Sequence, residues 1–165
     1  IINASIKVVI SNKKNSFILR RAENHNIKAR YVTHKNKTRK EFDQQVTNHL
    51  KENNVELILL RGFMRILSHK FRYRWQDKIL NVHPSLLPRY AGGMDTNVHE
   101  QVLVNGDKET GCTIHFVTEE IDGGPILVQK SCKVDPNDNV ETLKQKVQAL
   151  EGEAFIEAIN LITNK

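Results

Sequence analysis

The sequence predicts an α/β fold in which a mostly parallel central sheet is flanked by helices. Short apolar runs rich in β-branched residues alternate along the chain with longer amphipathic segments, and this alternation is typical of strands joined by crossover helices. Two clusters, Gly62–Leu67 and Asn81–His83, lie at the carboxyl ends of apolar runs predicted as strands. Ligands of such folds bind beyond the carboxyl ends of the strands, so we expect the functional site at these clusters.

The apolar runs predicted as strands are bounded by polar or turn-forming residues. They are Ile6–Ile10, Ala29–Thr33, Val55–Leu60, Ile79–Val82, Gly111–Thr118 and Ile126–Val134. Two prolines in the segment from His83 to Pro88 exclude regular structure there. Residues 1–165 contain no internal repeat, low-complexity segment or linker, so we expect a single domain.

Helices are predicted between the strands from capping residues and apolar spacing. They cover Phe17–Asn26, Arg39–Glu52, a short segment from Ser68 to Trp75, Asp95–Val104 and the C-terminal segment after Asp138 or Asn139. Thr38 is the predicted N-cap of the second helix. Phe42, Val46 and Leu50 recur at i, i+4 and i+8 on one face of that helix.

The net charge of +6 indicates an anionic partner. A nucleic acid is one candidate, since Lys70, Arg72 and Arg74 alternate with aromatic residues. We favour a short amphipathic helix with its aromatic side chains in the core, and therefore expect no nucleic-acid partner. A small anionic metabolite or a polyglutamate tail accounts for the charge equally well.

The sequence indicates neither a membrane protein nor a secreted one. No run approaches the roughly 20 apolar residues that span a bilayer, and the start of the chain lacks a signal-peptide pattern. Cys112 and Cys132 are then expected as reduced thiols of a cytoplasmic protein. The chain begins with Ile1 rather than Met, which leaves open a start inside a longer or multifunctional protein.

Asn81 and His83 form the first candidate for catalysis. Residues two apart in a strand point to the same side, so the amide and the imidazole can face one space. An amide can donate to a developing oxyanion, and an imidazole can pass protons near neutral pH. The alternative is that His83 only stabilises the turn before Pro84.

Asp122 is the second candidate, because a carboxylate can orient a histidine and favour its protonated form. Its alternative role is to stabilise the Gly-rich turn between two predicted strands. His115 lies in an apolar strand and is interpreted as a hydrogen-bonded strand histidine. The histidines and cysteines show no metal-ligand spacing, so we expect no catalytic metal.

The chain resembles a known family at four blocks of sequence. Gly62–Leu67, Leu80–Pro88, Gly111–Val117 and Ile121–Ile126 are similar, in order and spacing, to signature segments of glycinamide ribonucleotide formyltransferase. The block Asn-x-His-Pro-Ser-Leu-Leu-Pro is shared across folate-dependent formyltransferases, whereas Gly62–Leu67 narrows the resemblance to the enzyme of purine synthesis. The resemblance covers essentially the whole chain and implies a formyltransferase-type, Rossmann-like fold.

By this resemblance, the chain transfers a formyl group from 10-formyltetrahydrofolate to the amine of glycinamide ribonucleotide. Asn81, His83 and Asp122 are the implied catalytic residues. The implied folate-binding residues are Arg39, Met64, Arg65, Ile66, Leu67, Asn81, Thr118, Glu119, Glu120, Ile121 and Asp122. The implied contacts with the ribonucleotide are Gln148, Ala149, Leu150 and Glu151.

The chain departs from the family pattern in three places. Family members begin with a strand and a Ser-Gly-x-Gly-Ser-Asn-like loop that holds the substrate phosphate, and we expect both to be absent because the chain starts near the family's second strand. Arg61 stands where a small residue is usual, which predicts a crowded strand end. The segment Ala91–Asn97 differs in sequence and length from the family's loop.

Two alternatives remain beside the transferase. A 10-formyltetrahydrofolate hydrolase would use the same Asn, His and Asp but pass the formyl group to water. A folate-binding module without turnover would account for a missing phosphate loop. A phosphate-binding loop encoded upstream of Ile1 favours the transferase, and a start codon at this point favours the module.

Overall fold

The computed structural model describes residues 2–63, 66–93 and 95–164. The strands are β1 (Val9–Ser11), β2 (Ala29–Tyr31), β3 (Ile58–Leu60), β4 (Ile79–His83), β5 (Glu109–Phe116) and β6 (Ile126–Lys133). The helices are α1 (Phe17–Asn24), α2 (Arg39–Glu52), α3 (His69–Arg74), α4 (Asp95–Val104) and α5 (Val140–Thr163). The elements alternate as predicted and the α/β class is confirmed, although β1 and β3 begin later than the apolar runs that indicated them.

The chain forms two compact units. The N-terminal unit contains Ala4–Ile58 and Arg65–Gln76, and the C-terminal unit contains Ile1–Asn3, Leu59–Met64 and Asp77–Lys165. The prediction of a single domain over residues 1–165 stays a prediction.

The strands form a two-stranded sheet, β1–β2, and a four-stranded sheet in the order β3–β4–β5–β6. β1 and β2 are parallel, as the alternation with helices predicts. β4 is antiparallel to β5, and β5 is antiparallel to β6. The prediction of a mostly parallel sheet therefore does not describe this part of the chain. For β5 and β6 the reason is that residues 117–125 form a short connection without a crossover helix.

The core of the C-terminal unit lies between its sheet and α5. Leu143 and Val147 of α5 are fully buried, as are Ile114 and Cys112 of β5. Val98 and Val102 of α4 pack with Leu143 in one cluster. Apolar residues three and four apart on α5 thus form the buried face that the sequence predicts.

Side-chain capping interactions start two helices of the N-terminal unit, α2 and α3. Thr38 accepts from the amide of Glu41, whose carboxylate accepts from the amide of Thr38 in return, and this capping box starts α2. Ser68 caps α3. Phe71 and Trp75 are buried whereas Tyr73 is exposed, so two of the three aromatics beside the basic cluster belong to the core.

Both cysteines are free thiols. Burial raises the pKa of Cys112 to about 12, which keeps this side chain protonated and unreactive. In the described part of the chain, no helix is long and apolar enough to cross a membrane.

Candidate active site

The pairing of β4 with β5 creates the centre of the candidate site. Asn81 lies opposite His115, and His83 lies opposite Thr113. Asn81 and His83 are two residues apart in β4 and face the same side. The side-chain amide nitrogen of Asn81 is 3.3 Å from Nε2 of His115.

The ring of His83 lies between two acceptors. Its Nδ1 is 3.4 Å from Oδ2 of Asp122, and its Nε2 donates to the backbone carbonyl oxygen of Tyr90 at 3.0 Å. A ring that is protonated on both nitrogens satisfies both acceptors. The side chain of His83 is only 4% exposed, so water competes little for either partner.

Asp122 joins the connection after β5 to both histidines. Its Oδ2 accepts from the backbone amide of Gly92 at 2.7 Å, and its Oδ1 is 3.7 Å from Nε2 of His115. The backbone of Asp122 is left-handed, with φ of 53°, a conformation that Asp tolerates better than most residues. The structure therefore brings the three predicted catalytic residues together around His115; their catalytic role stays a prediction.

His115 is best described as a neutral ring that orients Asn81. Its Nδ1 faces the carbonyl oxygen of Phe116 at 3.0 Å and must donate to it. In a neutral ring, Nε2 then accepts from the side-chain amide of Asn81. The nitrogen of that amide, and not its oxygen, must therefore face the histidine. Burial is the main cause that lowers the pKa of His115. The predicted strand histidine is thus hydrogen-bonded, and it contacts the site.

We expect this buried histidine to destabilise the protein in mild acid. The pKa of His115 is lowered from 6.5 in the folded state, so the unfolded chain binds a proton first as the pH falls below that value. The free energy of unfolding should decrease over that range, and less so in His115→Gln. Urea denaturation at about pH 7.5 and about pH 5.5 measures the difference. Equal pH dependence in the variant and the parent would contradict the assignment, and His25→Gln, at an exposed position, is the control.

Buried polar side chains hold the Pro-containing segment after β4. Thr113 Oγ1 donates to the carbonyl oxygen of Ser85 at 2.7 Å and accepts from the amide of Leu87 at 3.0 Å. The side-chain amide of Gln129 donates to the carbonyl oxygen of Leu87 at 2.9 Å. The segment is irregular, as its two prolines predict, yet its backbone is satisfied by β5 and β6 and holds a defined path beside His83.

The predicted folate-binding residues divide among several parts of the chain. Thr118, Glu119, Glu120 and Ile121 are exposed in the connection that carries Asp122. Arg39, the exposed first residue of α2, belongs to the N-terminal unit, as do exposed Ile66 and buried Leu67. Met64 and Arg65 lie outside the described residues. A shared folate pocket stays a prediction.

The predicted contacts with the ribonucleotide lie on α5. Gln148 and Ala149 are exposed, Leu150 is half-buried and Glu151 is buried. Nε of Arg61 donates to Oε2 of Glu151 at 2.9 Å. The side chain of Arg61 is 46% exposed, and the crowding expected at this strand end stays a prediction.

Sequence reasoning did not assign Tyr90, Gly92 or His115 to the site. Tyr90 and Gly92 contribute backbone atoms, for which side-chain patterns carry no signal. For His115 a signal exists: it is the polar residue of β5 that pairs with the polar Asn81 of β4. That signal can be used only once the register of the two strands is known. In the described ranges, no group of three His, Cys, Asp or Glu residues could hold a metal ion.

Comparison with known proteins identifies the family. The family model described as formyl transferase matches residues 1–159. The chain belongs to the formyl transferase family.

Relatives of this formyl transferase occur both alone and inside larger proteins. Phosphoribosylglycinamide formyltransferase of Haemophilus influenzae is 39% identical over 155 residues, which are 93% of this chain and 72% of the relative. The trifunctional purine biosynthetic protein adenosine-3 of Gallus gallus is 47% identical over 162 residues, which are 98% of this chain. The formyl transferase spans only 16% of that larger protein.

A solved structure agrees with this family and fold. The crystal structure of phosphoribosylglycinamide formyltransferase from Anaplasma phagocytophilum matches with a TM-score of 0.87 and 37% sequence identity. The match covers 97% of this chain and 75% of the solved one. The predicted formyltransferase fold is therefore confirmed.

Proposed function

We propose that this protein transfers the formyl group of 10-formyltetrahydrofolate to the amine of phosphoribosylglycinamide, a step of purine biosynthesis. The observation that carries the proposal is the contact of Asp122 with His83, beside Asn81 on the same strand. The names of the relatives above support the acceptor. None of those relatives is named as a hydrolase, which gives no support to the hydrolase alternative.

In the proposed reaction, the amine nitrogen of the acceptor attacks the formyl carbon and forms a tetrahedral intermediate. The carbonyl oxygen becomes an oxyanion, which the amide of Asn81 is suited to stabilise because His115 holds its orientation. The bond between the formyl carbon and the folate nitrogen then breaks, and a proton lost by the attacking amine reaches that nitrogen. As a cation, His83 can stabilise the oxyanion by its charge. It can then give one ring proton to that nitrogen and take up the proton that the amine loses.

Asp122 contributes by holding the charged ring of His83. The carboxylate is only 12% exposed, and at low exposure an ion pair is screened less than at the surface. The amide of Gly92 holds the carboxylate from the other side. Asp122 thereby supplies both the charge and the fixed position that a protonated histidine requires.

The co-substrate pocket is part of the proposal. We assign folate contacts to Asn81 and to the exposed connection Thr118–Asp122. By resemblance alone, Arg39 is assigned to the acidic end of the folate. Met64–Leu67 completes the set by resemblance. The cytoplasmic location stays a prediction.

The proposal is tested by measuring formyl transfer with protein expressed from its complete coding sequence. Product formation from 10-formyltetrahydrofolate is followed with and without phosphoribosylglycinamide, and with His83→Ala as the control. If the parent protein forms formylated phosphoribosylglycinamide and His83→Ala does not, the result supports the transferase. Formate released without acceptor indicates the hydrolase instead. Folate binding by calorimetry without either product indicates a binding module.

The ion pair between Arg61 and Glu151 leads to a prediction for substrate affinity. Without the guanidinium, the buried carboxylate of Glu151 loses an ion-pair partner at 2.9 Å and with it one constraint on its position. If Glu151 contacts the ribonucleotide, Arg61→Ala should raise KM for phosphoribosylglycinamide about ten-fold. Initial rates over a range of acceptor concentrations measure the effect.

A matched control for Arg61 uses another ion pair with a glutamate of α5. Lys130 forms an ion pair with Glu157 of α5, so Lys130→Ala removes a comparable partner from a carboxylate outside the predicted substrate contacts. We expect its KM to equal that of the parent. An unchanged KM in Arg61→Ala as well would argue against a substrate role for Glu151.

A further inference from the structure

The carbonyl oxygen of Tyr90 is the acceptor for Nε2 of His83, at 3.0 Å. A backbone carbonyl can hold a histidine only if its own peptide is held. Tyr90 has a left-handed backbone with φ of 56°, which a bulky residue adopts rarely and at an energetic cost. Some other interaction must therefore stabilise Tyr90 in the conformation that aims its carbonyl at the ring.

Two interactions do so: the amide of Gly93 donates to the same carbonyl oxygen at 3.1 Å, and the phenol of Tyr90 anchors the side chain. Its hydroxyl donates to Oδ2 of Asp107 at 2.6 Å and accepts from the side-chain amide of Asn105 at 2.9 Å. The hydrogen bond to Asp107 is the main cause that raises the pKa of Tyr90, so the hydroxyl keeps the proton that it donates. Both ends of this residue are thus fixed, one to His83 and the other to the turn after α4.

Asp107 is itself held in place. Its amide donates to the carbonyl oxygen of Val102 in the last turn of α4, and its Oδ2 is 3.6 Å from Nη1 of Arg89. The backbone carbonyl oxygen of Arg89 accepts a hydrogen bond from the hydroxyl of Ser85. The turn after α4 therefore anchors the chain on either side of the peptide that contacts His83.

We propose that Tyr90 is a positioning residue for His83, with Asp107 and Asn105 as its anchor. The phenol binds Tyr90 to the turn after α4, and the backbone carbonyl of Tyr90 in turn binds Nε2 of His83. Asp122 contacts the other ring nitrogen, Nδ1. The two acceptors then hold the ring from opposite sides. The expected effect on catalysis rests on the proposed transferase function. The expected effect on the position of the His83 ring does not depend on that function.

The decisive variant is Tyr90→Phe, which keeps the ring and removes the hydroxyl. We expect kcat to fall about five-fold, the effect of one hydrogen bond, while KM for both substrates stays unchanged. Asp107→Ala, which removes the acceptor, should give a similar loss. The double variant should be no worse than either single one, since both substitutions break the same bond. Tyr73→Phe removes a hydroxyl from an exposed tyrosine and serves as the control.

A second measurement keeps the test independent of turnover. The side-chain ¹⁵N resonances of His83 should move in Tyr90→Phe, whereas they should be unchanged in Tyr73→Phe. If the parent protein transfers no formyl group but the His83 resonances move, the proposed function fails and the positioning role stands. Unmoved resonances, additive losses in the double variant, or a rise in KM in place of a fall in kcat would each overturn the inference.

Discussion

Replacing Asp122 with asparagine is expected to lower kcat about 10³-fold with little change in KM for phosphoribosylglycinamide. Asparagine keeps an oxygen for the amide of Gly92 and tolerates the left-handed backbone at this position. Its side chain is neutral, so the substitution removes the negative charge that lies 3.4 Å from Nδ1 of His83. The substitution therefore separates the charge of Asp122 from its role in the turn.

Steady-state kinetics of formyl transfer measure this effect. Glu157→Gln removes a carboxylate from an exposed pair on α5, and we expect it to match the parent. Unfolding experiments on both variants show whether the fold is preserved. An Asp122→Asn variant that keeps more than about a tenth of the parental kcat would remove this carboxylate from the reaction.

Replacing Gly111 with alanine is expected to destabilise the C-terminal unit by about 3 kcal/mol. A Cβ atom at this position would lie 1.9 Å from the carbonyl oxygen of Lys130 and 2.9 Å from Cδ2 of Leu86. The first neighbour is backbone of β6 and cannot rotate away, so the β5–β6 ladder must separate. The second belongs to the segment beside His83, so we also expect a loss of activity.

Gly152→Ala, in the same unit, is expected to stabilise the protein where Gly111→Ala destabilises it. Gly152 lies inside α5, and a Cβ there would meet nothing within 4 Å. Alanine favours a helix over glycine, so the free energy of unfolding should rise by about 0.5–1 kcal/mol. Denaturant unfolding of the two variants tests both expectations. A Gly111→Ala protein as stable as the parent would show that β5 and β6 are not paired in this register.

Local features of the fold could be predicted from the sequence because their causes are local. Thr38, Ser68 and Asn139 each cap the helix that follows them, since a side-chain oxygen next to an apolar, helix-spaced segment satisfies free amides of the first turn. The site could be predicted in outline because strand alternation places Asn81 and His83 on one side. That argument needs no tertiary structure.

The remaining features depend on contacts between distant parts of the chain. Asn81 meets His115 because β4 and β5 pair in one register, which no pattern within either strand specifies. Tyr90 reaches His83 through a carbonyl and Asp107 through a phenol, and neither partner is marked by spacing. The antiparallel order of β4, β5 and β6 is a further case, because alternation with helices favours parallel neighbours whereas the direction of each pair depends on which strands meet.

The left-handed backbone of Asp122 restricts how this position can evolve. Among the common amino acids, only Asp and Asn combine a short polar side chain with tolerance of this conformation, and only Asp carries a charge. Glutamate would keep the charge but must strain the turn, and glycine would relax the turn but lose the carboxylate. Aspartate is thus the one residue type that provides both the left-handed turn and the negative charge at this position. Any single substitution of Asp122 loses one of the two.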